Sequence, residues 1–148
     1  FARVRAFAED PTARSEVVLA RAWDFLGMRN LRLQRWREGA YALEQAARYS
    51  PSSRIFVQWA ICEMRSGNHA AASALFERAL EKNPDDYFAW HELAVTALAL
   101  DRRDQARRAA GAMARLAPAD AAPRPGPEGI PRRRDLRQSP RAVQAFRA

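Results

Sequence analysis

Prolines recur at a fixed interval through the middle of this chain, and the residues between them repeat in size. Pro51 and Pro84 stand 33 residues apart and Pro84 and Pro118 stand 34 apart. Ahead of Pro84 come Phe56, Trp59, Ala60, Gly67, Ala72, Phe76 and Ala79. Their spacing predicts two short antiparallel helices joined by a tight turn at Gly67 and Asn68. Phe56, Trp59 and Glu63 share one face, while Ala60, Ala72 and Ala79 let two backbones approach closely. Such a hairpin leaves an apolar face bare, so copies of it must stack on either side. The copies are present. Trp90, Leu93, Ala94, Ala106 and Ala110 precede Pro118, and Trp23, Leu26, Gly27, Gly39, Leu43 and Ala46 precede Pro51.

Large, small and proline positions agree in register three times, and the Trp-x-x-Leu-Gly/Ala opening falls at the same place in the first and third copies. On these residues the stretch 20 to 118 resembles the tetratricopeptide repeat family, about two thirds of the chain. The middle copy, Phe56-x-x-Trp59-x-x-x-Glu63 with Gly67-Asn68 and then Leu75 to Leu80, looks more like the half-a-TPR variant, which the resemblance associates with RNA-processing complexes. The implied fold is all-α, a right-handed superhelix of about three helical hairpins (20–52, 53–86 and 87–120) followed by an irregular C-terminal tail.

Composition fits that class. The chain is rich in alanine, leucine and arginine, with few β-branched runs and no stretch of 18 apolar residues, so neither a sheet nor a membrane-spanning helix is expected. Cys62 is the one cysteine, and His69 and His91 are the only histidines. An intramolecular disulfide is impossible and no Cys/His metal constellation can form. Cys62 reads as a small buried helix residue, and a reducing intracellular compartment is expected. No cofactor is expected. The chain opens on Phe1, which points to a piece of something longer with any targeting signal already removed.

In chain order, Phe1, Val4 and Phe7 are spaced for one helix face, so residues 1–11 read as the end of a preceding helix, and repeats fill 12–118. Asp10-Pro11-Thr12 marks a helix stop and a new start, with Val17, Leu19, Trp23 and Leu26 expected inward from a helix over 12–30. A second helix is expected over 34–49. Ser50-Pro51-Ser52-Ser53 and Asn83-Pro84-Asp85-Asp86 each end one helix and cap the next. The last pair is expected over 86–100 and 103–117. Residues 119–148 form a Pro/Arg-rich basic tail, with a short helix over 140–147. The tail is expected to lie against the repeats or against another molecule.

Net charge is +8, from 24 arginines and one lysine against 17 acids. Residues 1–118 hold 18 bases and 14 acids and the last 30 hold 7 and 3, so the tail contributes half the excess. Arg132, Arg133 and Arg134 concentrate it. Acidic partners follow, such as RNA, an anionic surface or an acidic protein.

In the family resembled, the first helices of successive hairpins line a groove. Arg21 and Arg54 share one repeat position, Arg32 and Arg65 another; the third copy has Phe88 and Ala99 there. Between them the expected floor is Met28, Leu31, Val57, Ile61, Met64, Val95 and Leu98, with His91 contacting a peptide or solvent. This suits a segment carrying apolar and acidic side chains. The clamp by which some relatives hold the carboxyl end of heat-shock chaperones needs lysine, asparagine and arginine where this chain has Asp24, Met28, Gln58, Phe88 and Glu92. Acids there repel a carboxylate, so that activity is not expected. No catalytic grouping stands out. The reading is a non-catalytic scaffold docking a protein partner within a larger assembly. Attachment to RNA or ribonucleoprotein is the alternative.

Overall fold

The computed structural model describes residues 11–117. They form six helices: α1 (Pro11–Arg32), α2 (Trp36–Tyr49), α3 (Ser53–Arg65), α4 (His69–Lys82), α5 (Tyr87–Ala99) and α6 (Arg103–Leu116). No strand occurs among the described residues. Each helix packs on its neighbour in the chain, and α1 also meets α3, its counterpart in the next hairpin. The architecture is an all-α superhelix of three hairpins. The helix expected over residues 1–9, the arginine triplet at Arg132 to Arg134 and the short helix over 140–147 lie outside the described residues.

The hairpin turns repeat as closely as the helices do. Gln34, Gly67 and Asp101 have φ of 58, 89 and 54 degrees, one positive-φ residue per turn at intervals of 33 and 34 residues. Each turn closes with the same two backbone bonds. The amides of Gln34, Gly67 and Asp101 donate to the carbonyls of Leu31, Met64 and Leu98 at 3.0–3.1 Å, and the next amides reach five residues back at 2.8–2.9 Å. This is the closure that favours glycine, because a Cβ is strained in the left-handed region. Only the middle hairpin has glycine there. Gln34 is thus a turn residue, and α2 starts at Trp36 rather than at 34.

The opposite turns use side chains. Ser52 accepts the Ile55 amide at 3.3 Å and Asp86 accepts the Ala89 amide at 3.0 Å, so the expected caps begin α3 and α5. Trp90 Nε1–H donates to the Pro84 carbonyl at 2.7 Å, which ties the repeated tryptophan to the repeated proline.

The core follows the small and large positions. Phe56, Ala60, Ala72, Phe76, Ala79, Ala89 and Leu93 are essentially inaccessible and belong to one cluster, with Trp59 and Trp90 half-buried against it. Leu43, Ala46, Ile55 and Cys62 form a second cluster that Trp23 covers. Polar side-chain contacts also join hairpins. Arg54 on α3 donates to Asp24 on α1, and Gln105 on α6 donates to Ser73 and Glu77 on α4, both at 2.9 Å. The Gln105 contact satisfies the one buried serine, Ser73.

Three inward assignments are corrected. Leu19 and Leu26 are 42% and 41% exposed, and the buried side of α1 carries Ala20 and Gly27. Leu93, at the same repeat position as Leu26, is fully buried because α3 and α4 precede it; no described hairpin precedes α1. Ala110, the counterpart of Phe76, is exposed while Ala109 and Ala112 are buried, since no described helix follows α6 to cover that side.

Two expectations follow for urea unfolding. Gly67→Ala should lower stability by about 1 kcal/mol and Gln34→Gly should raise it by a similar amount, because a side chain costs about 1–2 kcal/mol in the left-handed region. No change in either variant would mean the turns relax. At Gly27 a Cβ would lie 2.5 Å from Leu43 Cγ. Alanine gains about 1 kcal/mol of helix propensity, yet overpacking costs about 1–3 kcal/mol, so Gly27→Ala should lose stability overall. A more stable Gly27→Ala protein would refute a tight crossing of α1 and α2.

Candidate functional site

The first helices α1, α3 and α5 carry the residues expected to face a partner. Arg21, Arg32 and Arg65 are exposed, and no acid pairs with them among the described residues. On α5, Phe88, Val95 and Leu98 are 50%, 45% and 64% exposed, which is unusual for side chains of that size in one short helix. Met28, Leu31, Ile61 and Met64 are half-buried. The sulfur of Met64 accepts the Thr96 hydroxyl at 3.6 Å, so the floor is continuous from α3 to α5.

Two expected positions differ. Val57 is only 5% exposed and packs in the main core cluster, so it offers a partner no surface. Its side of α3 meets the next hairpin rather than solvent. Arg54 is no free rim cation, because its guanidinium is held by Asp24 across two helices. His91 Nδ1 lies 2.9 Å from Glu92 Oε1, an exposed contact between chain neighbours.

Sequence reasoning missed Phe25, Arg29 and Leu33. They lie at four-residue spacing along α1 and into the turn that follows it, flanking Arg21, Met28 and Arg32, and with Asp24 these seven line a cavity of about 690 Å³. Phe25 is 68% exposed and Leu33 52%. The signal was present as an apolar i, i+8 pair beside the expected floor, hidden because α1 was read as having one apolar face rather than two. The site is therefore graded. Unpaired guanidiniums surround apolar side chains on α1, whereas the α5 end is apolar.

No three His, Cys, Asp or Glu side chains gather as metal ligands among the described residues. No described helix is long and apolar enough to cross a membrane. Cys62 lies between the hairpins, fully buried, and burial with the neighbouring Glu63 pushes its thiol from 9.0 up to about 11. It is a neutral packing residue at physiological pH.

Its linkage has a definite sign. The unfolded thiol ionises first, so stability present below pH about 9 is lost as pH rises toward 11. The urea midpoint should fall less between pH 8.5 and 10.5 in Cys62→Ala than in the parent. Equal falls would show that Cys62 ionises alike in both states.

The tetratricopeptide repeat family model matches residues 53–96, the stretch whose residues looked nearest the half-a-TPR variant. A search of curated proteins returned no match. Among solved structures, the first TPR of Spaghetti (RPAP3) bound to the HSP90 peptide SRMEEVD superposes with a TM-score of 0.61 at 14% identity, covering 87% of this chain and 96% of that one. A mutant of MamA gives a TM-score of 0.62 at 18% identity, over 79% of this chain and 91% of that one. At such identities the likeness is one of fold.

Proposed function

We propose that this chain, whose residues 53–96 match the tetratricopeptide repeat model and whose fold is like that of tetratricopeptide-repeat structures, is a non-catalytic scaffold whose groove along α1, α3 and α5 docks a segment of a protein partner within a larger assembly. The observation that carries this reading is the uncovered apolar surface of Phe25, Phe88, Val95 and Leu98 on first helices, with Leu33 just past the end of α1. The second helices turn small or charged residues outward, apart from Tyr41 and Tyr49 at the first hairpin. Apolar area left in water on one side of a folded array marks an interaction surface.

Arg21, Arg32 and Arg65 set the chemistry at one end, with Arg29 beside them, and the partner segment carries acids opposite these guanidiniums. Toward α5, with Phe88, His91 and Val95, it carries apolar side chains over Met28, Ile61 and Met64.

The RPAP3 structure holds an acidic peptide, yet this groove lacks a free cation at the positions compared. Asp24 is occupied by Arg54, and Glu92 stands beside His91. The proposed partner is therefore read along an internal stretch rather than by its terminal carboxylate. The arginine-rich surface also supports RNA attachment, at a different place on the fold.

To test the groove, the full chain is immobilised and the proteins it retains from its native extract are compared with those on the Phe88→Asp, Leu98→Asp double variant. Both positions are exposed, so helix content should be unchanged while a discrete retained partner is lost. Retention of the same proteins at the same yield would overturn the groove reading.

A further inference from the structure

The turn between α1 and α2 holds arginines at 29, 32, 35 and 37, four in nine residues, followed by one acid, Glu38. All four are exposed, and none makes an ion pair or side-chain hydrogen bond among the described residues. Elsewhere six of the eleven described arginines are occupied, while Arg14, Arg21, Arg65, Arg102 and Arg115 are scattered singly and have no partner among the described residues. Arg48, Arg54, Arg103, Arg107 and Arg108 each hold a carboxylate, and Arg78 lies 4.4 Å from the centre of the Phe56 ring. Arg35 and Arg37 also stand at the start of α2, the end of a helix where positive charge is disfavoured. Four neighbouring guanidiniums, with Glu38 the one acid beside them in the chain and paired with none of them, fit a ligand that brings several negative charges.

A cavity of about 360 Å³ opens beside them, lined in part by Trp23, Tyr41, Asn30, Arg37 and Glu38. Tyr41 is 58% exposed and meets Trp23 edge to face, with ring centres 5.9 Å apart and planes at 84 degrees. Its open ring face offers a stacking surface, and the Asn30 amide and Glu38 carboxylate can pair with ring nitrogens and amino groups. An acidic side chain entering this cavity would meet Glu38, whereas a nucleobase would donate to it. Trp36, between Arg35 and Arg37, is the tryptophan that packs on neither core cluster, and its indole N–H has no acceptor among the described residues. It can donate to a phosphate oxygen.

We propose that the α1–α2 turn binds single-stranded nucleic acid, with phosphates on Arg29, Arg32, Arg35 and Arg37 and one unpaired base stacked on Tyr41. Arg29 and Arg32 also line the larger cavity on α1, whereas Arg35 and Arg37 stand outside it, so substitutions at 35 and 37 test this surface apart from the protein-docking groove.

The test is fluorescence anisotropy of the full chain with a labelled 20-nucleotide uridine RNA, thymidine DNA of equal length, a 20-base-pair duplex and a glutamate-rich 20-residue peptide. Both single strands should bind more tightly than duplex and peptide. Any preference between RNA and DNA identifies which source of the strand the turn accepts. The Arg35→Glu, Arg37→Glu variant should weaken binding at least tenfold at low salt and reduce the slope of log affinity against log salt by about 1.4, at about 0.7 per phosphate. An Arg48→Glu, Arg107→Glu control makes the same charge change elsewhere and should weaken binding less than about threefold. Tyr41→Ala should lose about fivefold or more and Tyr41→Phe should retain binding. Unchanged affinity in the turn variant, equal losses in variant and control, an indifferent Tyr41→Ala, or a duplex or peptide bound as tightly as the strands would overturn the proposal.

Discussion

Everything in this array depends on how closely two helix axes cross within a hairpin. Gly27, Ala60 and Ala94 sit at one repeated position, Gly39, Ala72 and Ala106 at another, and each lets a neighbour enter where a larger side chain could not. Leu43 against Gly27 shows how little room is left within the first hairpin, and Cys62, its sulfur 3.0 Å from where a Cβ of Gly39 would be, shows the same between the first hairpin and the second. The close crossing turns Phe56 and Phe76 toward the following hairpin, so packing within one pair determines what the next pair must cover.

This explains which parts of the fold were legible in the amino-acid order. Period, hairpin turns and side-chain caps are local, and residues such as Ser52, Asp86 and Gly67 declare them through conformational preference. End effects are not local. Leu26 and Ala110 obey the repeat pattern yet lie open, because burial at those positions is conferred by a hairpin that the described residues do not include. Val57 went astray for a related reason, since a helix in the middle of a stack buries two flanks and only the third can face a ligand.

The candidate surface was partly legible. Periodicity located the arginines of the first helices but could not show that Arg54 reaches Asp24, a contact spanning 30 residues of sequence. Nor could it distinguish the idle guanidiniums at 29 to 37 from the occupied ones at 103 to 108. Pairing depends on which carboxylates the folded chain brings into reach, and among the described residues neither Glu38 nor Asp24 pairs with an arginine of the α1–α2 cluster.

The three hairpin bends are closed by the same pair of main-chain hydrogen bonds. Side-chain bonds at the bends differ from one to the next, as where Asn68 alone donates to Glu63 at 2.8 Å, and the shared loop geometry accepts Gln34-Arg35, Gly67-Asn68 or Asp101-Arg102. The rim of the solenoid is thus a row of interchangeable sockets, where chemical character can drift or be regrafted without touching the packed interior.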